Sequence, residues 1–381
     1  MYSRTIAFAS VAALAAITTP AYGQETDLTV EASESAVSDL SQFTPRPSVE
    51  AISFDYTFLD TALQFMVMRM WPSTREGAKR PDNYLGSRMR WGHLSRYRLE
   101  GNRVVFSLLE EKDITPLTEY REDLERLGSE YDIASLPRGE QLAYWMNLHN
   151  VAVIEQLAIN YPVRSPSLKK FGPDQTSLDD AKVITVAGVS LSPRDIRTRI
   201  VYPNWDNPNV IYGFFRGDIG GPSIQKRAFT AENVDAALPS VASEFVNSLR
   251  GVEALAGNVK VSKIYEEAAP FYFPNMADDL RAHLASHAAA DVSELLARNT
   301  QLSVGSYEDT IADLAGGERD PIYLASVNAG VPPSVARLLQ ERNEKIEKLL
   351  RDGELRGRVI VLPPGSDGST PEEAAEEPQP E

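Results

Sequence analysis

The feature that most constrains this chain is the run from residue 138 to residue 160, where Leu142, Trp145, Met146, Val153 and Leu157 recur at helical spacing. It predicts one long helix with an apolar face. Its first half reads Gly139-Glu140-Gln141-Leu142-Ala143-Tyr144-Trp145-Met146-Asn147-Leu148-His149-Asn150.

Signals for other elements surround this helix irregularly. Phe58, Leu59, Ala62, Leu63, Phe65, Met66 and Met70 predict a helix within Phe54 to Trp71. Asn102 to Leu109 reads as a strand, and Thr115-Pro116 reads as a cap and first turn of a helix reaching about Leu127. Ala181 to Leu191 alternates as a strand pair turning near Gly188, and Ser192-Pro193 caps a short helix. Val210 to Phe215 reads as a central strand, and Thr230 opens a helix through about Leu249. Further helices are expected over 275–288, 291–298 and 334–352, the last with Val335, Leu338, Leu339, Ile346, Leu349 and Leu350 along one stripe. The expected class is α+β, a single main domain over 49–330 with a mostly antiparallel sheet packed by helices. Helical decoration lies at both ends, including a C-terminal helix and short strand over 331–362.

Residues 1–23 read as a secretory signal peptide. Arg4 provides the positive start, Ile6 to Ile17 the apolar core, and Ala21-Tyr22-Gly23 the small residues before cleavage. That core is about half of the roughly 20 residues needed to span a bilayer. The expected location is therefore periplasmic or secreted, with no transmembrane anchor after cleavage. The chain has no cysteine, so a lipid-modified cysteine is impossible and disulfides contribute nothing. Residues 24–48 read as a flexible lead-in, and 363–381 as a disordered acidic, Pro/Glu-rich tail. The net charge of -16 argues against nucleic acid as the main partner.

The landmarks Glu140-Gln141-Leu142-Ala143-Tyr144-Trp145 with Asn147 and Asn150, then Ile184-Thr185-Val186-Ala187-Gly188, Asp195-Ile196 and Asn207-Pro208, resemble the bacterial family known as domain of unknown function 547. Val261-Ser262-Lys263-Ile264-Tyr265 adds to the likeness, which spans roughly residues 55–290 and is best over 100–230. The resemblance implies a fold related to the papain-like cysteine peptidases, with a hydrolase-like cysteine, histidine and acidic set in typical members. Here that set is missing. Arg197-Thr198 stand where the family usually has Glu-His, Ile211 stands where it has His, and Gly220-Gly221 precede Pro222 where a cysteine-containing turn is usual. Cysteine-type catalysis is excluded, and Glu140, Trp145, Asn147 and Asn150 remain as family-signature structural residues.

Two candidates for replacement chemistry stand out. Ser223 follows the Gly-Gly-Pro turn, with Gly217, Gly220 and Gly221 as sources of oxyanion-binding N–H groups, and His149 could serve as its base. The blander alternatives are a tight turn with a capping serine and a hydrogen-bonded core histidine. His283 and His287 have the spacing of two metal ligands, with Asp278, Asp279 or Asp291 as a third, but an exposed helix face explains them as well, and no metal or other cofactor is expected. Residues 75–103 carry eight basic residues with Tyr84, Trp91 and Tyr97 among them. Arg88, Arg90, Trp91, Arg96 and Arg98 form the candidate surface for an anionic or glycan cell-envelope ligand, or for the chain's own acidic tail. The sequence thus favours a non-catalytic binding or scaffolding module on a degenerate hydrolase-like fold. The competing reading is a divergent hydrolase using Ser223 and His149. Export is checked by sequencing the N-terminus of the secreted protein: Gln24 is expected first, and an intact Met1 would refute cleavage after Gly23.

Overall fold

The computed structural model describes residues 39–48, 52–79, 93–255, 257–299, 301–305, 307–318 and 333–353. The expected signal peptide, most of the lead-in, Arg88, Arg90, Trp91, the strand before residue 362 and the acidic tail lie outside the described residues. The described residues from Leu40 onward form one compact unit. Helix α1 (Thr57–Met66) leads into β1 (Val67–Met68). Strand β2 (Arg103–Val104) and a 3-10 turn (Phe106–Leu108) precede α2 (Glu111–Glu130) and α3 (Arg138–Ile159). A hairpin of β3 (Ile184–Val186) and β4 (Val189–Leu191) runs into α4 (Pro193–Asp195), a π-helical stretch (Ile196–Val201) and a 3-10 helix (Pro208–Gly213). The remainder is α5 (Val234–Val246), β5 (Val252–Leu255), β6 (Asn258–Val261), α6 (Ile264–Tyr272), α7 (Met276–His287), α8 (Ala290–Arg298), β7 (Leu302–Val304) and α9 (Pro333–Arg351).

The class is α+β, as the mixed signals predicted, but the described strands form three small sheets rather than one. β1–β2 and β3–β4 are antiparallel pairs, and β5–β6–β7 joins an antiparallel pair to a parallel one. Strands this short collect little apolar surface. That task falls to α3, which is buried on nearly all sides from Glu140 to Ala158. Trp145 meets Phe43 edge to face at 5.1 Å, and Tyr144, Leu148, Ala152 and Leu157 have no exposed surface.

A helix buried all round must place its polar side chains against something polar, and α3 uses them to hold backbone. Asn147 donates to Phe229 O (2.7 Å) and accepts from Phe229 N (3.0 Å). Asn150 donates to Gly213 O (2.9 Å) and accepts from Phe215 N (2.9 Å). Each amide imitates the neighbouring strand that its segment lacks. Gln141 donates to Ala134 O and Leu136 O, and Tyr144 donates to Leu124 O. Glu140, fully buried, accepts from Tyr56 OH (2.8 Å), Ser53 Oγ (3.2 Å) and Phe54 N (3.3 Å).

This bracketing explains one correction to the sequence reading. Val210 to Phe215 is not a central strand. Asn207 accepts the Asn209 N–H, Pro208 presets the turn, and a 3-10 helix forms to Gly213. The run is apolar because it lies buried beside α3, not because it pairs in a sheet. Thr115-Pro116 is not a helix start either. Asp113 accepts the Glu110 N–H in a capping box, so α2 begins at Glu111 and Pro116 falls inside it. The strand expected over 102–109 stops at Val104, since Asp313 Oδ1 takes the Ser107 N–H and the chain turns. In α1 the buried face is Leu59, Leu63 and Met66, while Phe58 and Phe65 point outward.

Other expectations hold. Ala187 and Gly188, both at positive φ, turn the β3–β4 hairpin, and Ser192 and Asp195 cap α4 reciprocally. Gly128 has room for no side chain: a Cβ there would sit 2.4 Å from Val186 and 2.5 Å from the Tyr144 hydroxyl, so α2, α3 and β3 close on a glycine. Replacing Glu140 by Ala leaves the Tyr56 hydroxyl and Phe54 N–H without their acceptor, and a loss of about 2–3 kcal/mol is expected in urea unfolding.

Candidate functional site

The turn that carries Ser223 is closed. Residues 307–312 run along it: Ile219 N donates to Thr310 O (2.8 Å), Gly220 N to Glu308 O (2.8 Å), and Ala312 N to Gly217 O (2.9 Å). A Cβ on Gly220 would lie 2.7 Å from Glu308 O and 2.9 Å from Glu308 N. The N–H groups of Gly220 and Gly221, which could have bound an oxyanion, are both engaged, the second by Asp218 Oδ1 at 2.9 Å. Ser223 is 6% exposed. Its Oγ accepts from Arg250 Nη2 (2.9 Å) and Asn102 N (3.2 Å) and donates to Glu244 (3.2 Å).

His149 lies elsewhere in the core, fully buried, and shares no hydrogen-bond partner with Ser223. Its Nδ1 faces Asn150 Oδ1 at 3.0 Å, and its Nε2 faces Arg197 Nη1 at 3.0 Å. The guanidinium has no lone pair, so it donates, Nε2 accepts, and the ring proton sits on Nδ1. Burial, reinforced by the cationic Arg197, lowers the imidazole to about 3. The basic lone pair is therefore occupied, and the structure does not bring serine and histidine together.

Arg197 centres a buried charge cluster. It bonds Asp179 (2.6 Å) and both oxygens of Glu267 (3.0 and 3.1 Å), while Arg216 reaches the same Glu267 (2.7 and 3.2 Å). Two guanidiniums face two carboxylates, which satisfies charge inside the protein rather than presenting it to a ligand. Burial opposes ionisation of Glu267, but Arg216 and Arg197 hold it down to about 2. Nearby Asp218 is different: burial dominates and raises it to about 7, despite hydrogen bonds from Tyr307 OH (2.7 Å) and Gly221 N.

The described cations of the 75–103 block mostly turn inward. Arg98, 2% exposed, makes a bidentate pair with Glu341 of α9 (2.6 and 2.8 Å). Arg103 donates to the carbonyls of Gly101, Asn102 and Arg98, and Arg75 to those of Asn247 and Val252. Arg96 pairs with Glu253 at 2.7 Å and lies over the Tyr97 ring, with half its side chain exposed.

A groove that the sequence reading missed has cations facing outward. It lies between the end of α1, residues 225–229 and α5, with a volume of about 750 Å³. Arg69, Lys226 and Arg227 line it, and no described carboxylate pairs with any of the three. Arg69 stacks over Trp71 at 5.4 Å. Glu244, the acidic lining residue, has both oxygens on Arg250 (2.5 and 2.6 Å). The adjacent pair Lys226-Arg227 was a visible signal, but Arg69 is far away in sequence, and only the fold joins them.

His283 and His287 sit on one face of α7 with ring centroids 5.1 Å apart. Tyr212 OH bonds His283 Nε2 (2.9 Å) and Asn209 Oδ1 meets His287 Nε2 (2.8 Å), while Asp278 and Asp279 are bound by Asn275. No set of three His, Cys, Asp or Glu side chains suited to a metal occurs among the described residues. Nor is any described helix long and apolar enough to cross a membrane.

Residues 133–246 match the family model described as "Protein of unknown function, DUF547", a narrower span than the landmarks suggested. It runs from the turn before α3 through α5 and so includes Asn147, Asn150 and the segments they hold. No curated protein and no solved structure shows significant similarity to the chain.

The raised Asp218 carboxyl has a definite sign. Unfolded, it titrates near the ordinary value of about 3.9, so between about pH 4 and 7 the folded state binds the extra proton and stability is lost as pH rises. Asp218→Asn removes that loss. Its stability advantage over the parent protein is expected to grow from pH 4 to pH 7.5, by up to a few kcal/mol in chemical unfolding.

Proposed function

We propose that this protein is an exported, non-catalytic binding or scaffolding module of the cell envelope, on a hydrolase-like scaffold whose reactive groups have been put to structural use. One observation carries the reading: Ser223 Oγ, the N–H groups of Gly220 and Gly221 and the His149 lone pair are already bound inside the protein. The serine oxygen is held by Arg250, Asn102 and Glu244. The glycine N–H groups are held by Glu308 and Asp218, and the histidine lone pair by Arg197. A nucleophile needs a base within reach, and the carboxylate beside Ser223, Glu244, has both oxygens on Arg250.

The resemblance to peptidase-like hydrolases supports the same account from the other side. Where a reacting side chain would project from the Gly-Gly turn, the backbone of Glu308 stands in its place. The exported location rests on the N-terminal 23 residues.

The test is a hydrolase screen of the purified mature protein against ester, amide and glycoside reporter substrates, with Ser223→Ala and His149→Phe as variants. No turnover above the variants' background is expected. Activity that disappears with Ser223→Ala would overturn the proposal in favour of the hydrolase.

A further inference from the structure

We propose that the groove between α1 and α5 is a binding site for an acidic glycan, a sugar chain bearing carboxylate groups. The proposal rests on the binding-module reading and assigns its ligand surface.

Charge selects the first half of that class. Arg69, Lys226 and Arg227 converge on one groove from two separate stretches of chain, and none has a described carboxylate partner. A protein of net charge -16 repels anions in general, so three cations left uncompensated at one place form a local exception. The surrounding acids are already engaged within the protein. Glu244 is held by Arg250, and the oxygens of Asp60 are taken by Gln64 Nε2 (2.6 Å) and Ala228 N (3.1 Å).

Hydrogen bonding selects the second half. The amide nitrogens of Gln64 and Gln225 are engaged, by Asp60 and by Ser223 O. Their amide oxygens accept nothing from the described residues, so the groove offers acceptors as well as cations. A bare polyanion brings no donors to such acceptors; a sugar acid brings hydroxyl donors and an anionic group together. The volume, about 750 Å³, is far more than one small anion fills and suits a ligand of several rings. Nucleic acid is the poorer fit. The overall negative charge opposes a phosphate backbone, and the groove's aromatic lining residue, Phe229, is buried, leaving no stacking platform.

A larger groove, of about 960 Å³, makes a contrast within the same molecule. It is lined by Glu110, Glu111, Glu119 and Glu318 around Leu108 and Ile159, and its charge is wrong for this ligand.

The experiment is titration calorimetry of the full mature protein with tetragalacturonic acid. Maltotetraose serves as the neutral control, and polyphosphate and a single-stranded oligonucleotide of similar charge as anionic controls. The acidic sugar is expected to bind, more weakly in high salt, and maltotetraose not to bind. The double variant Lys226→Ala, Arg227→Ala is expected to weaken binding about tenfold or more. Because neither side chain bonds a described residue, its melting temperature should match the parent's. Arg69→Gln, on the other wall, should weaken binding as well. Unaltered affinity in these variants, equal affinity for polyphosphate or the oligonucleotide, or no binding of the acidic sugar would each overturn the assignment. Release of reducing ends during the titration would sink the non-catalytic reading instead, and leave the groove assignment standing.

Discussion

The structure depends on α3 carrying polar side chains into an apolar place. A helix with no solvent-facing side has to satisfy each polar atom internally, or lose about 1–3 kcal/mol for every group left unpaired. Asn147 and Asn150 meet that constraint by binding both the N–H and the C=O of segments that pass beside them. The segments at 213–215 and 229 are thereby held by side chains, without a sheet. Their positions in turn determine where Arg216, Asp218 and Ser223 lie and where the groove wall at 225–229 runs. The asparagines are therefore structural in a specific sense: they substitute for strands.

Charge is handled in two ways. Inside, Arg197, Arg216, Asp179 and Glu267 compensate one another, and burial, reinforced by Arg197, keeps the adjoining His149 neutral at ordinary pH. Arg250, Glu244 and Ser223 form a second internal set, and Arg98 with Glu341 ties α9 to the body. Outside, in the groove at Arg69, Lys226 and Arg227, compensation is lacking. The difference between the two settings separates scaffold from ligand surface, since a charge already paired in a buried site has little to offer a partner.

Several errors in reading the chain share one cause. Val210 to Phe215 has strand composition, and Thr115-Pro116 has helix-start composition, yet neighbours overrode both. Local propensity amounts to tenths of a kcal/mol per residue, less than one buried hydrogen bond such as that from Phe215 N to Asn150. The basic block misled for a related reason. Counting Arg96, Arg98 and Arg103 along the chain says nothing of whether Glu253, Glu341 or main-chain carbonyls wait beside them in space.

The sequence by itself determined the mixed class, the α3 helix, the hairpin at Gly188, the α4 cap, the late helices and the absence of thiol chemistry. These follow from spacing, turn residues and composition, which act over a few neighbours. Tertiary structure alone decided that Ser223 and His149 stand apart, that the Gly220-Gly221 turn is covered, and that Arg69 joins Lys226 and Arg227. Those outcomes depend on contacts between residues up to about 160 positions apart in the chain, for which local pattern carries no information.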